Sequence, residues 1–459
     1  MSTRDLSTGP VTGRLTQLAG PMSVGILAGM SVALVDTYFL GRLGTEELAA
    51  ISFSFPVVFT VMSLSIGLGA GAASVVSRAI GHGDREEVRR LSTDSIALAV
   101  LLVAAVSAAG ILTVRPLFAL LGAEGAVLDH VVDYMTIWYV GMVFLVVPMV
   151  ANNILRAGGD AIVPSAIMVG VAALNLALTP LLVFGLWGLP RLEVEGAAWA
   201  SLIARAVTAV VSLGVLVFRE RLIAFAVPPM AALLASWKRV LFVGVPAAFG
   251  NAVNPLGITV VTAIVATFGT TSVAAFGVAT RVEAFAAIPM LALSAAIGPV
   301  AGQSWGAGRQ DRVPRALRAA FVFCAAWSVL AAAVFWVFGA AIADVFTDEP
   351  QIAAEAAAYL RVVSLSLVGY GVTVIAAGAF NALGKPLTAL GYNLLRTAAL
   401  FVPLAWLASL MGGVGWVFAA VAAANAAAGI AVAWHALHWL SCAEQGDCEP
   451  SADRAAEPA

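Results

Sequence analysis

Long apolar runs separated by short polar segments dominate the pattern of this chain of 459 residues. A run of about 18 to 25 apolar residues is long enough to cross a hydrocarbon layer of about 30 Å as a helix. The pattern predicts twelve such helices, beginning near Leu15, Ile51, Ser92, Tyr134, Ile162, Gly196, Val240, Ser272, Leu317, Ala357, Leu387 and Gly413. We therefore expect an all-α integral membrane protein embedded in the lipid bilayer.

The composition excludes a soluble enzyme. Hydrophobic residues make up 61% of the chain and charged residues only 11%, whereas about a quarter of the residues in a soluble globular protein are charged. An intramembrane enzyme would need a nucleophile with its base, or a set of metal ligands. No such set is found, because the four histidines fall at loops or helix ends: His82, His130, His435 and His438. We expect neither enzymatic activity nor nucleic-acid binding.

The chain also contains an internal repeat. Residues 43–50 read LGTEELAA and residues 268–275 read FGTTSVAA, and the same offset of 225 places Gly81 and Gly83 on Gly306 and Gly308. Two homologous halves of six helices each are typical of transporters with a site between the repeats. Because six is an even number, the second half enters from the same side, which predicts parallel repeats.

The basic residues indicate the orientation, because cytoplasmic loops collect Lys and Arg. The loops after helices 2, 6 and 8 hold the larger share of them: Arg78, Arg85, Arg89, Arg90, Arg219, Arg221, Lys238, Arg239, Arg309, Arg312, Arg315 and Arg318. Both termini are then cytoplasmic, in a multi-pass protein of the cell membrane. The expected organisation is a cytoplasmic N-terminus (1–14), an N-lobe (15–217), a cytoplasmic linker (218–237), a C-lobe (238–440) and a disordered cytoplasmic tail (441–459).

Asp36 is the first polar residue of interest inside the helices. A charge at this depth costs roughly 2.5 to 3.5 kcal/mol on insertion scales, which makes it a functional candidate. Its counterpart in the second half is Val261, so the acid belongs to one half only. The alternative is an acid near enough to the outer end to reach the interface. Arg205, one turn beyond Ser201, either pairs with Asp36 and tunes it or binds backbone carbonyls.

Three further polar side chains are predicted at the same depth as Asp36. Helix 5 places Asn175 and Thr179 on one face in its outer half, and helix 6 places Ser201 in its outer third. Together with the carbonyl of Ala197, these groups would make an oxygen-rich nest for a proton or a sodium ion. Ordinary interhelical hydrogen bonding is the alternative.

The second half has charges of its own. Arg281 and Glu283 lie well inside helix 8, where the first half has Pro56 and Val58. Two residues apart on a helix, they point to different faces and are not simple partners. Glu283 either faces a cavity and attracts cationic substrate, or neutralises a basic group such as Arg396.

Several segments of the two halves have a recognisable form. In the first half they are VDTYFLGRLG, GHGDREE, LRAGGD, NLALTP and GAAWAS, and in the second FGVATRVEAF, GQSWGAGR and NALGKP. Together they resemble the multidrug and toxic compound extrusion (MATE) family, and most closely its prokaryotic DinF-like branch. The likeness runs from about Leu15 to Trp439.

The resemblance implies two six-helix bundles in a V around a central cavity, rocking between outward-open and inward-open states. It also implies efflux of organic cations and amphipathic drugs in exchange for protons or sodium. We expect no cofactor other than the coupling ion, and a monomeric protein. By position, Asp36 matches the helix 1 acid of the DinF-like branch, Asn175 the helix 5 amide and Ser201 a helix 6 Thr.

One position departs from the family pattern. Thr179 stands before Pro180, where close relatives often have a second acid. The loss of one charge weakens the case for sodium at Asp36 and Asn175 and favours a proton. A flippase for lipid-linked sugars from the same superfamily is the alternative function, although it would need a basic cavity to hold pyrophosphate.

Overall fold

The computed structural model describes residues 5–40, 45–188, 190, 192–224 and 228–445, except the side chains of residues 33–38, 40, 45–53, 55, 194 and 444–445. The α-helices of these residues are α1 (Val11–Leu40), α2 (Thr45–His82), α3 (Arg85–Leu120), α4 (Gly125–Gly141), α5 (Val143–Ala157), α6 (Ile162–Phe184), α7 (Glu193–Gly214), α8 (Met230–Ala266), α9 (Thr270–Ala286), α10 (Ile288–Gly306), α11 (Arg312–Asp344), α12 (Pro350–Val363), α13 (Leu367–Ala382), α14 (Pro386–Leu394), α15 (Val402–Ser409) and α16 (Val414–Gln445).

These helices confirm the prediction of an all-helical membrane protein. Ten segments of the described residues are long and apolar enough to span a bilayer, and two bent helix pairs raise the number to twelve. The bends are 40° between α4 and α5 and 44° between α9 and α10. Large apolar side chains are exposed on the helix surfaces, among them Leu112 at 82% and Val210 at 71%. Hydrocarbon, and not water, is the solvent that suits such a surface.

The chain forms two compact units. Gly20–Ala248 belongs to the first unit, and Leu6–Ala19 joins the residues from Phe249 onwards in the second. These boundaries differ from the expected lobes at 15–217 and 238–440. The difference at the N-terminus has a physical cause, because Leu6 is buried in the second unit and its backbone N–H donates to Gln303 Oε1 at 2.8 Å.

Part of the segment predicted as a linker, 218–237, is helical. Helix α8 already begins at Met230, directly after a proline pair, and its first turns are rich in alanine and leucine, which favour helix. Trp237 is part of this helix and donates its indole N–H to the backbone oxygen of Asp94 at 2.9 Å. At the other end of the chain, α16 continues to Gln445, and the rest of the expected tail lies outside the described residues.

The two glycine turns of the sequence repeat have the same backbone form. Gly83 follows α2 with φ of +83°, and Gly308 follows α10 with φ of +71°. Glycine adopts this left-handed conformation without the steric cost that other residues meet. Asp84 then caps α3 by accepting from the backbone N–H groups of Glu86 and Glu87 at 2.9 and 3.0 Å. The repeat thus encodes equivalent helix-to-helix turns in the two halves.

Candidate functional site

The first unit contains a buried polar cluster between α6 and α7. Asn175 and Thr179 on α6 are 2% and 0% exposed, and Ser201 on α7 is half-buried. Asn175 Nδ2 donates to Ser201 Oγ at 3.2 Å, and Thr179 Oγ1 donates to Asn175 Oδ1 at 3.3 Å. The structure therefore brings together the three residues that we call the α6–α7 cluster.

A glycine lets the two helices of this cluster approach closely. A Cβ atom on Gly196 would lie 2.6 Å from the backbone oxygen of Leu182, which is closer than side-chain carbons come. The same oxygen accepts from the N–H of Leu192 at 3.0 Å. Ala197, the next residue of α7, is buried. That the carbonyl of Ala197 binds an ion stays a prediction.

Asp36 is part of α1, but the structure describes only its backbone and not its side chain. The neighbours of α1 fix the depth of this position. Gly25 packs against Ser165 near the start of α6, and the rings of Phe39 and Phe184 are 6.1 Å apart near its end. The two helices therefore run side by side in the same direction. By this register the backbone of Asp36 lies near the depth of the α6–α7 cluster, and the role of its side chain stays a prediction.

The remaining charges predicted to tune the site fall on two helices. Arg205 is half-buried on α7, one turn beyond Ser201, and its role stays a prediction. Arg281 is exposed on α9, whereas Glu283 on the same helix lines a cavity. Their separation onto different faces agrees with their spacing of two residues.

The cavity beside Glu283 lies entirely within the second unit and has a volume of about 100 Å³. The hydroxyl of Tyr359 donates to Glu283 Oε2 at 2.8 Å. Tyr359 in turn stands edge-on between the rings of Phe276 and Phe418, at 5.4 and 5.0 Å. This packing fixes the hydroxyl, and with it one oxygen of the carboxylate.

Arg396 lines the same cavity and is 4% exposed. It lies in a π-helical turn, Leu395–Phe401, a distortion often found at functional sites. Its Nη1 donates to Asn425 Oδ1 at 2.8 Å, and its Nη2 donates to Asn254 Oδ1. The guanidinium carbon lies 4.9 Å from the centre of the Tyr370 ring. The described hydrogen-bond partners of this buried cation are thus neutral amides, with an aromatic ring against it.

Pairing of Glu283 with Arg396 was one of two alternatives predicted from the sequence, and both side chains do line one cavity. Asn254, Asn425 and Tyr359, which bind them, were not predicted. The two asparagines could have been predicted from the sequence, because each is an amide inside an apolar run, as Asn175 is. Among the described residues, no group of three or more His, Cys, Asp or Glu side chains is placed to hold a metal ion.

Comparison with known proteins matches the chain to one family twice. The MatE family model covers residues 21–181 and again residues 246–407. The second match begins 225 residues after the first, which is the offset of the sequence repeat. The double match confirms two homologous halves.

Individual relatives cover almost the whole chain. A protein of Shewanella oneidensis named FAD transporter is 36% identical over 426 residues, which is 93% of this chain and 94% of that protein. The probable multidrug resistance protein YpnP of Bacillus subtilis is 26% identical, over 90% of this chain and 93% of that protein. The crystal structure of the Vibrio cholerae MATE transporter VcmN in its bent form is 28% identical, with a TM-score of 0.89 over 96% of this chain and 99% of that chain. The chain therefore belongs to the MatE family of multi-pass membrane transporters, whose members are not enzymes.

Proposed function

We propose that this protein is a secondary active exporter that moves organic cations and other amphipathic compounds out of the cell in exchange for protons. The α6–α7 cluster is the observation that carries the proposal. It is a buried set of an amide and two hydroxyls, and it lies near the depth of the unduplicated acid Asp36. Relatives named for multidrug resistance or multidrug export support this class of substrate.

Asp36 is the proposed coupling acid. An intramembrane carboxyl that exchanges a proton between the two sides links a proton gradient to the conformation of the protein. Asn175 and Ser201 would orient this carboxyl, with Thr179 and the carbonyl of Ala197 completing the nest. Because Thr179 is neutral, a proton suits the nest better than a sodium ion does. The rocking of two lobes would carry the substrate across the membrane.

The test is transport by the purified full chain in liposomes. A fluorescent organic cation is followed under an imposed proton gradient and then under a sodium gradient. We expect proton-driven movement that is lost in Asp36→Asn. Asp133→Asn, which neutralises an exposed acid on α4, is the matched control and should behave as the wild type does.

Three results would contradict parts of this proposal. Normal proton-driven transport by Asp36→Asn would remove Asp36 from the coupling mechanism. Transport driven by sodium alone would show that Thr179 does not prevent sodium binding. If neither gradient moves any cation, the proposal of cation export is wrong. A flippase for lipid-linked sugars, the alternative named from the sequence, then becomes the better hypothesis.

Export of a flavin dinucleotide is a second candidate. The relative named FAD transporter is 36% identical over 93% of this chain, which is closer than the 26% of YpnP. Flavin fluorescence allows a direct comparison. Liposomes containing the protein are tested for gradient-driven movement of FAD, of riboflavin and of the organic cation. Movement of the cation without movement of either flavin would exclude this candidate.

A further inference from the structure

The cavity of the second unit holds an acid and a base that are each bound to neutral partners. Glu283 accepts from Tyr359, and Arg396 donates to Asn254 and Asn425. A carboxylate has about four acceptor positions and a guanidinium five N–H donors. Both groups therefore have hydrogen-bonding capacity beyond these contacts, and both line the same space.

The walls of the cavity are aromatic. Phe276, Tyr359, Tyr370 and Phe401 line it together with the two charged side chains. Tyr359 is fixed by its ring contacts, and Arg396 lies against Tyr370. Apolar walls with a few fixed polar groups are typical of small-molecule sites. At about 100 Å³, the space holds several water molecules but is smaller than the cavity of about 150 Å³ that takes up benzene. It therefore suits the edge of one ring and not a whole tricyclic flavin.

The two charges restrict the chemistry of an occupant. A simple anion would face the Glu283 carboxylate, and a simple cation would face the Arg396 guanidinium. A flat ring that carries an acceptor and an N–H donor on its edge satisfies both groups at once. Arginine donates to ring acceptors and glutamate accepts from N–H groups in the recognition of base edges, and ring stacking on aromatic side chains adds affinity.

We propose that the cavity of Glu283 and Arg396 is a subsite for the hydrogen-bonding edge of a planar heterocyclic ring with adjacent donors and acceptors, such as the pyrimidine edge of a flavin or a nucleobase. The inference rests on the proposed export function and specifies one class of compound that the protein accepts. Arg396 donates to a ring carbonyl, Glu283 accepts the ring N–H, and the aromatic walls pack against the ring faces. Asn254, Asn425 and Tyr359 are positioning residues for the two charges.

Binding of two matched flavins tests the subsite. Riboflavin carries an N–H on its pyrimidine edge, and N3-methylriboflavin lacks it. The change in flavin fluorescence on addition of the detergent-solubilised full chain gives both affinities. Because a hydrogen bond to a charged group is lost, we expect riboflavin to bind at least about tenfold more tightly than the methylated compound.

Two variants connect this preference to the cavity. Glu283→Gln keeps the size of the side chain but removes its charge, and it should reduce the tenfold preference to about twofold or less. Arg318→Gln is the matched control, because Arg318 is exposed on α11; it should retain the full preference. Gel filtration and thermal unfolding of both variants check that they are folded.

Several outcomes would overturn the subsite. These are equal binding of the two flavins, no binding of either, or an unchanged preference in Glu283→Gln. The export function is tested separately, with tetraphenylphosphonium, a cation without a hydrogen-bonding edge. If protons drive its movement while the flavins bind equally, the subsite fails and the exporter stands. If tetraphenylphosphonium is not moved although the flavin preference is present, the proposed function fails and the binding site stands.

Discussion

Replacement of Gly369 by alanine should destabilise the second unit and loosen its cavity. Gly369 on α13 and Gly429 on α16 meet at backbone contact. A Cβ atom on Gly369 would overlap the backbone carbonyl of Asn425, and one on Gly429 would overlap Gly369 itself. Because backbone atoms and not a flexible side-chain tip are in the way, the two helices would have to move apart. Small residues commonly allow such approaches between membrane helices.

The expected size follows from two opposing effects. Forcing an extra methyl group into a packed interior costs about 1–3 kcal/mol, and a clash with backbone favours the upper part of that range. Alanine recovers up to about 1 kcal/mol through its higher helix propensity. The net loss is about 2 kcal/mol, which corresponds to a fall of about 4–8 °C in Tm for a unit of roughly 200 residues.

Thermal unfolding of the detergent-solubilised protein, followed by tryptophan fluorescence, measures this fall. Gly415→Ala is the control, because it changes a glycine of α16 whose Cβ would meet no heavy atom within 4 Å. Its Tm should be unchanged or slightly higher. Asn425 also holds Arg396, so Gly369→Ala should weaken the preference for riboflavin over its methylated analogue. A Tm within about 1 °C of the wild type would refute the packing argument, since it would correspond to well under 1 kcal/mol.

Three further substitutions test other parts of the molecule. Thr179→Asp adds a carboxylate to the α6–α7 cluster and should make transport responsive to a sodium gradient, measured in the same liposomes; no response would show that charge at this position does not select the ion. Ser201→Val removes the hydroxyl that accepts from the Asn175 amide and should lower the free energy of unfolding by about 1–3 kcal/mol. The loss is measured as a lower Tm. An unchanged Tm would mean that the amide finds another partner. Gly83→Ala places a side chain at a φ of +83° and should lower the free energy of unfolding by about 1–3 kcal/mol, measured as a lower Tm, while the folded protein still transports. Gly20→Ala is its control, because a Cβ atom there would meet no heavy atom within 4 Å, and its Tm should not fall.

The fold was predictable because length and apolarity alone define a membrane-spanning helix. The twelve predicted starts correspond to the twelve spans, including those that bend, since a bend changes neither the length nor the composition of a run. The boundaries of the two units were harder to predict from the sequence. Leu6 is tied to the second unit by hydrogen bonds with Gln303 and Arg312, which are about 300 positions away in the sequence.

The α6–α7 cluster was predictable for a different reason. Helices that alternate in direction convert sequence position into depth, so the levels of Asn175, Thr179 and Ser201 could be compared before any contact was known. The contacts of Arg396 could not be found in this way. Asn254, Tyr370 and Asn425 lie on three distant helices, and depth alone does not show which faces meet. Arg396 also lies in a π-helical turn, which the apolar pattern of the sequence does not predict.

The two halves place their polar groups on equivalent spans but use them differently. In each half three of these polar residues lie on the first, fifth and sixth spans: Asp36, Asn175 and Ser201 in one, and Asn254, Arg396 and Asn425 in the other. In the second half the amide oxygens accept from a guanidinium that is part of the chain. A fixed cation on those oxygens leaves them unsuited to a mobile one. If coupling uses the amide and hydroxyl oxygens of these three spans, the first half suits a mobile cation better than the second half does, where Glu283 belongs to the proposed ring subsite.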